Sequence, residues 1–128
     1  MEDGAVNLIA GWTGFLGGIL AGAAAGLHFY KETWLGGYGS FRRRMIRLAH
    51  ISFFGIGLIN ILFTLSLPML HPGALAAVIA SVSFIIAMVS MPLCCYLAAW
   101  KMPLRHLFPI PVVSLGTGVT SLLFGSVL

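Results

Sequence analysis

The stretch "VNLIAGWTGFLGGILAGAAAGLHFY", Val6–Tyr30, contains no Asp, Glu, Lys or Arg. At a rise of about 1.5 Å per residue, about 20 apolar residues cross the hydrocarbon core of a bilayer, so this run is long enough to span it. It shows no period-two alternation, which argues against a strand. Its small residues fall in rows: Ala10, Gly14, Gly18, Gly22 and Gly26 recur every four residues, with Gly17, Ala21 and Ala25 beside them. At about 100° per residue these lie on one side of a helix, and Ile9, Trp12, Leu16, Ile19, Leu20 and Leu27 lie on the other. The pattern predicts a helix with one face of almost bare backbone for close packing and an opposite face suited to lipid.

Three further runs qualify as spans, from about Met45 to Leu67, from about Ala74 to Trp100 and from about Leu107 to Leu128. Pro68 is expected to stop the second and Pro92 to kink the third. Pro109 and Pro111 fall in the first turn of the fourth, where proline is tolerated. The whole chain is 59% hydrophobic and only 8% charged, against about 25% charged in a soluble domain. The expected fold is therefore all-α: a single integral membrane domain over residues 1–128, built as a four-helix bundle. The connections are short, so successive helices are expected to run up and down as antiparallel neighbours.

Charge gives the orientation. Lys31, Arg42, Arg43, Arg44 and Arg47 flank the first connection, and Lys101 and Arg105 flank the third; the second, "PMLHPG", has neither Lys nor Arg. By the positive-inside rule the first and third connections face the cytoplasm, which puts both termini on the non-cytoplasmic side. The N-terminus "MEDGAV" lacks the basic region of a cleaved signal peptide. The expected location is the inner membrane of a bacterium. The net charge of +4 is explained by membrane topology and not by nucleic acid. Arg42, Arg43, Arg44 and Arg47 are read as facing anionic lipids or a partner.

The other helices also carry small or weakly polar surfaces. Helix three has the row Ala76, Ala80, Ser83, Ala87, Ser90, Cys94 and Ala98, and helix two has Gly57, Asn60 and Thr64 in one sector. Asn60 lies deep in its span and needs a polar partner, for which a serine or threonine on a facing helix is the expected choice. Gly14, Gly18, Gly22, Gly26 and Asn60 are thus the candidate packing residues, serving the bundle itself, self-association or other membrane subunits.

His28 and His50 bracket the basic segment, each three residues inside a cation, and His106 follows Arg105 at the same membrane face. Helical registration places His28 at the edge of the small-residue face and His50 on the polar sector of helix two, so both are expected to point inward. Neutral imidazole is a good ligand for haem iron, and the neighbouring cations suit propionates. His28, His50 and His106 are therefore candidate ligands for haem b or contacts for a quinone. If helices one and two meet directly on the glycine ladder, a porphyrin cannot fit between them, and His106 or another subunit must supply a ligand.

The layout of four short-looped helices with inward histidines resembles in outline the small b-haem and quinone membrane anchors of respiratory complexes. The segment "RLAHISFFG", Arg47–Gly55, is similar to such anchors in placing a basic residue near a helix-start histidine. The chain departs from them in lacking an unmistakable ligand pair on two helices. The resemblance implies a small membrane subunit of a larger redox complex. The alternatives are a cofactor-free assembly subunit packing through its glycine ladder, and an oligomeric channel or transporter for a neutral solute. The carboxylates Glu2, Asp3 and Glu32 all lie outside the spans, which disfavours a carboxylate-driven carrier. No catalytic activity of the chain alone is expected. Cys94 and Cys95 read as small buried residues without nearby activating charge.

Overall fold

The structure, a computed structural model, describes residues 4–127. Its helices are α1 (Ala5–Phe29), α2 (Phe41–Leu70), α3 (Ala74–Trp100) and α4 (Pro109–Val127), with short 3₁₀ segments at Trp34–Gly36 and Met102–Leu107. Among the described residues there is no strand, and four helices are long and apolar enough to cross a membrane. That is compatible with an integral membrane protein.

The ends of α2 lie outside the apolar run that revealed it. Ser40 caps its start, its Oγ accepting from the Arg43 N–H at 3.2 Å, so the helix begins four residues before Met45. At the other end Pro68 does not stop it. Proline removes one backbone donor, and the helix continues to Leu70 before His71, at φ 46°, closes it with a bond from its N–H to the Leu67 carbonyl. α3 likewise runs through Pro92. α4 starts two residues later than the apolar run because Met102–Leu107 forms a 3₁₀ segment first.

α1 packs on α2 through its glycines. A methyl group at Gly11 would come within 2.6 Å of the Gly57 carbonyl oxygen, and one at Gly18 within 2.6 Å of the Phe54 ring. At Gly14 it would strike the Met88 side chain and approach the Phe53 carbonyl, and at Gly22 it would strike the His50 ring. The α2 partners thus descend from Thr64 (opposite Gly4) to His50 as α1 ascends from Gly4 to Gly22. The α3 partners ascend with α1, from Ser81 opposite Asn7 to Met88 opposite Gly14. Gly26 does not pack within the bundle. It is exposed, and a methyl group there would have no neighbour within 4 Å, because the ladder has run past its last α2 contact at His50. Ile9, Trp12, Leu16, Ile19, Leu20 and Leu27 are all exposed on the opposite face.

α3 is the central helix, with Ala80, Ser83, Ala87, Cys94 and Ala98 buried. Phe84 stacks edge-on against Phe63 of α2, with centroids 5.5 Å apart. Gly118 of α4 sits on the Phe84 ring and Gly125 on Ala76, while the Ser121 hydroxyl donates to the Ala76 carbonyl at 3.0 Å. α4 leans chiefly on α3, and only Pro111 and Gly118 of its residues are buried.

Candidate functional site at the basic end of the bundle

The loop after α1 is folded. Leu35 (φ 53°), Gly36 (φ 89°) and Gly37 (φ 94°) adopt left-handed backbone angles in succession, a path that needs glycine at most of its steps. The Ser40 hydroxyl then donates to the Leu35 carbonyl at 2.8 Å. This turn brings Trp34 and the Glu32 carbonyl back over the end of α1.

Arg43 fills the space beneath and is only 3% exposed. Its guanidinium donates to the Phe29 carbonyl at 3.1 Å and the Glu32 carbonyl at 3.3 Å. It also lies 5.1 Å from the Phe29 ring centre and 5.6 Å from that of Trp34. A buried charge is costly unless compensated. Here the last carbonyl of α1, at the negative end of the helix dipole, the Glu32 carbonyl of the following turn and two ring faces offset that cost. The reading of Arg43 as facing lipid or a partner is therefore corrected, for it is an internal cap on α1. Arg47 is half used in the same way: it donates to the Tyr38 carbonyl at 3.0 Å and lies 4.3 Å over the Tyr38 ring. Arg42 and Arg44 are exposed.

The histidines occupy three different settings. His28 is exposed; its Nδ1 donates to the Ala24 carbonyl at 2.9 Å and its ring stacks on Trp34 at 5.0 Å. That corrects its expected inward orientation, because Trp34 draws the ring toward the loop. His50 does lie inward. Its Nδ1 donates to the Gly18 carbonyl of α1 at 2.9 Å, its ring lies on Gly22, and Phe54 meets it edge-on at 5.3 Å. His106 is exposed in the second 3₁₀ segment. A carbonyl can only accept, so Nδ1 of His28 and of His50 carries a hydrogen, and the one neutral tautomer that meets this keeps the lone pair on Nε2. That tautomer suits a metal ligand, but the space does not. α1 and α2 touch directly where His50 meets Gly22, which leaves no gap for a flat macrocycle between them. Among the described residues no three of His, Cys, Asp or Glu gather into a possible metal site.

A second polar cluster lies at the other end of α1, and its Asn7 and Ser81 are absent from the candidates drawn from the sequence. Asn7 and Asn60 are both fully buried. Asn7 Nδ2 donates to Asn60 Oδ1 at 2.8 Å and to the Ser81 carbonyl at 3.2 Å, and the Ser81 hydroxyl donates to Asn7 Oδ1. Asn60 Nδ2 donates to the carbonyls of Ile56 (3.0 Å) and Phe84 (3.2 Å). The partner of Asn60 is thus another amide, not a hydroxyl, and together they tie three helices. The detectable signal was Asn7 itself, an amide within an otherwise apolar run. Above the cluster, α2 extends about 9 Å beyond Thr64, the partner of Gly4. The overhang leaves a cavity of about 360 Å³ lined by Gly4, Leu67, His71, Ala77 and Ser81 among others.

Set against family models, curated proteins and solved structures, the chain has no match in any of the three.

Proposed function

We propose that the chain is a small four-span subunit of a membrane assembly, working through helix packing with other membrane subunits or with a second copy. In this reading the bundle is antiparallel, the basic end faces the cytoplasm, both termini lie on the other side, and the membrane is the inner membrane of a bacterium. The observation that carries the reading is the outer face of α4. Gly116, Thr117 and Thr120 are exposed there, and Gly116 has open space where a side chain would be. Lipid rewards neither a glycine nor hydroxyls, whereas a neighbouring helix can approach such a surface closely. The glycine ladder of α1 is already occupied by α2, so partners must use other faces. The test is disulfide cross-linking of Thr117→Cys in native membranes, with and without Gly116→Leu. A cross-linked species that Gly116→Leu abolishes supports the reading; a chain that remains monomeric in native membranes refutes it.

A second reading, a redox subunit holding haem b or quinone at the basic end, is favoured by one feature: the free Nε2 atoms of His28 and His50. With α1 and α2 in contact, the group must lie outside that pair and take its other ligand from a neighbour. His28 is accessible for this, and His106 lies exposed in the connection before α4. An absorption spectrum of the native assembly decides. A Soret band lost in His28→Ala supports this reading, and a colourless assembly with its partners retained excludes haem.

A further inference from the structure

We infer that the basic end of the bundle is a seat for the head groups of anionic lipids, set at phosphate level by three cation–aromatic pairs on separate segments. The inference goes beyond the assembly reading and does not depend on it. Lys31 Nζ lies 5.7 Å over the Tyr30 ring at the end of α1. Arg47 lies 4.3 Å over Tyr38 of the loop, and Lys101 Nζ lies 4.7 Å over Trp100 at the end of α3. The three rings are 76%, 74% and 66% exposed. Tyrosine and tryptophan exposed at the ends of spanning helices settle among head groups, where an apolar body and a polar tip are both satisfied. α1 and α3 finish at the same end, so the rings mark one membrane surface.

Charge identifies what the seat takes. All seven Lys and Arg residues of the chain lie at this end, and Glu32 is the one carboxylate beside them. The excess is too large for the chain to neutralise. The cations are also unequal. Arg43 is withdrawn inside the fold and Arg47 is engaged with Tyr38, which leaves Lys31, Arg42, Arg44, Lys101 and Arg105 exposed. Five exposed cations beside head-group-level rings fit phosphodiester anions in the membrane plane. An acidic soluble protein would meet the charge, but it would give the rings no apolar boundary to occupy.

The test uses the full chain, delipidated in neutral detergent and titrated with phosphatidylglycerol or phosphatidylcholine under native mass spectrometry. Phosphatidylglycerol should bind more tightly, with a preference that shrinks as salt rises. A cation near the surface contributes about 1 kcal/mol, or roughly fivefold in affinity. Lys31→Gln with Lys101→Gln, and separately Arg42→Gln with Arg44→Gln, should each reduce that preference by about tenfold or more. Arg43→Gln should leave it within about twofold in the protein that remains folded. Equal affinity for the two lipids, or a preference that survives both double substitutions, overturns the inference. So does a preference that collapses in folded Arg43→Gln, or tighter binding of an acidic polypeptide than of phosphatidylglycerol.

Discussion

Two buried polar clusters stand at opposite ends of α1, and they are satisfied by different means. The Asn7–Asn60–Ser81 cluster is neutral, and each amide finds donors and acceptors on other helices. The Arg43 cluster is charged. It has no carboxylate, relies on two main-chain carbonyls and two rings, and leaves its Nε without a partner among the described residues. The amides join α1, α2 and α3 side to side within the span. The arginine joins α1 to α2 end to end and orders the loop between them. A neutral network suits the dry interior, where an unmatched charge is most expensive. A guanidinium suits the helix end, where several carbonyls need donors at once.

Substitutions can break this comparison at graded strength. The largest effect is expected at Gly11→Ala, below the amide cluster. The added methyl meets the Gly57 carbonyl, which cannot swing aside, and overpacking of this kind costs about 3 kcal/mol. Gly22→Ala at the basic end should cost about half as much, because the His50 ring can rotate away. Unfolding in mixed detergent, followed by helicity, measures both; equal losses would mean that the two ends of the helix contact are equally rigid.

Arg43→Ala should follow, at about 2–3 kcal/mol, since it strips the donors from two main-chain carbonyls and empties a buried site. Arg43→Lys should recover less than half, because an ammonium cannot span two carbonyls in a fixed fork. Full rescue by lysine would show that charge alone matters there. Asn60→Leu should cost about 1–2 kcal/mol by stranding the Asn7 amide. Adding Asn7→Leu should cost less than the sum of the two single changes, a coupling of about 1 kcal/mol in a double-mutant cycle. Strict additivity would dissolve the cluster into unrelated contacts. The smallest effect is expected at Gly26→Ala. With open space around it, alanine should be neutral or stabilise by up to about 1 kcal/mol through helix propensity.

The spans and the two faces of α1 were legible because lipid imposes length, apolarity and a sorting of small from large residues on every turn. The site was less legible. Arg42, Arg43 and Arg44 are chemically identical in sequence; only the left-handed path through Leu35, Gly36 and Gly37 decides which one is enclosed. His28 and His50 share depth and flanking charge, yet Trp34 takes one ring outward while Gly22 admits the other. Asn7 escaped because pairing it with Asn60, 53 residues away, requires knowing how α2 lies against α1. Pro68 misled because a proline this close to a helix end removes only one backbone donor, and the chain completes its last turn through Met69 and Leu70 before His71 closes it.

Arg43 also bears on biogenesis. The carbonyl of Phe29 waits for a donor fourteen residues further along the chain. Until the loop and Arg43 have emerged from the ribosome, the first span has an unfinished end. It is completed only when the second begins to wind, so the two should enter the bilayer as one helical hairpin. A nascent chain arrested with Arg43 still inside the ribosome should hold its first span loosely, and one arrested after Arg43 has emerged should hold it fast.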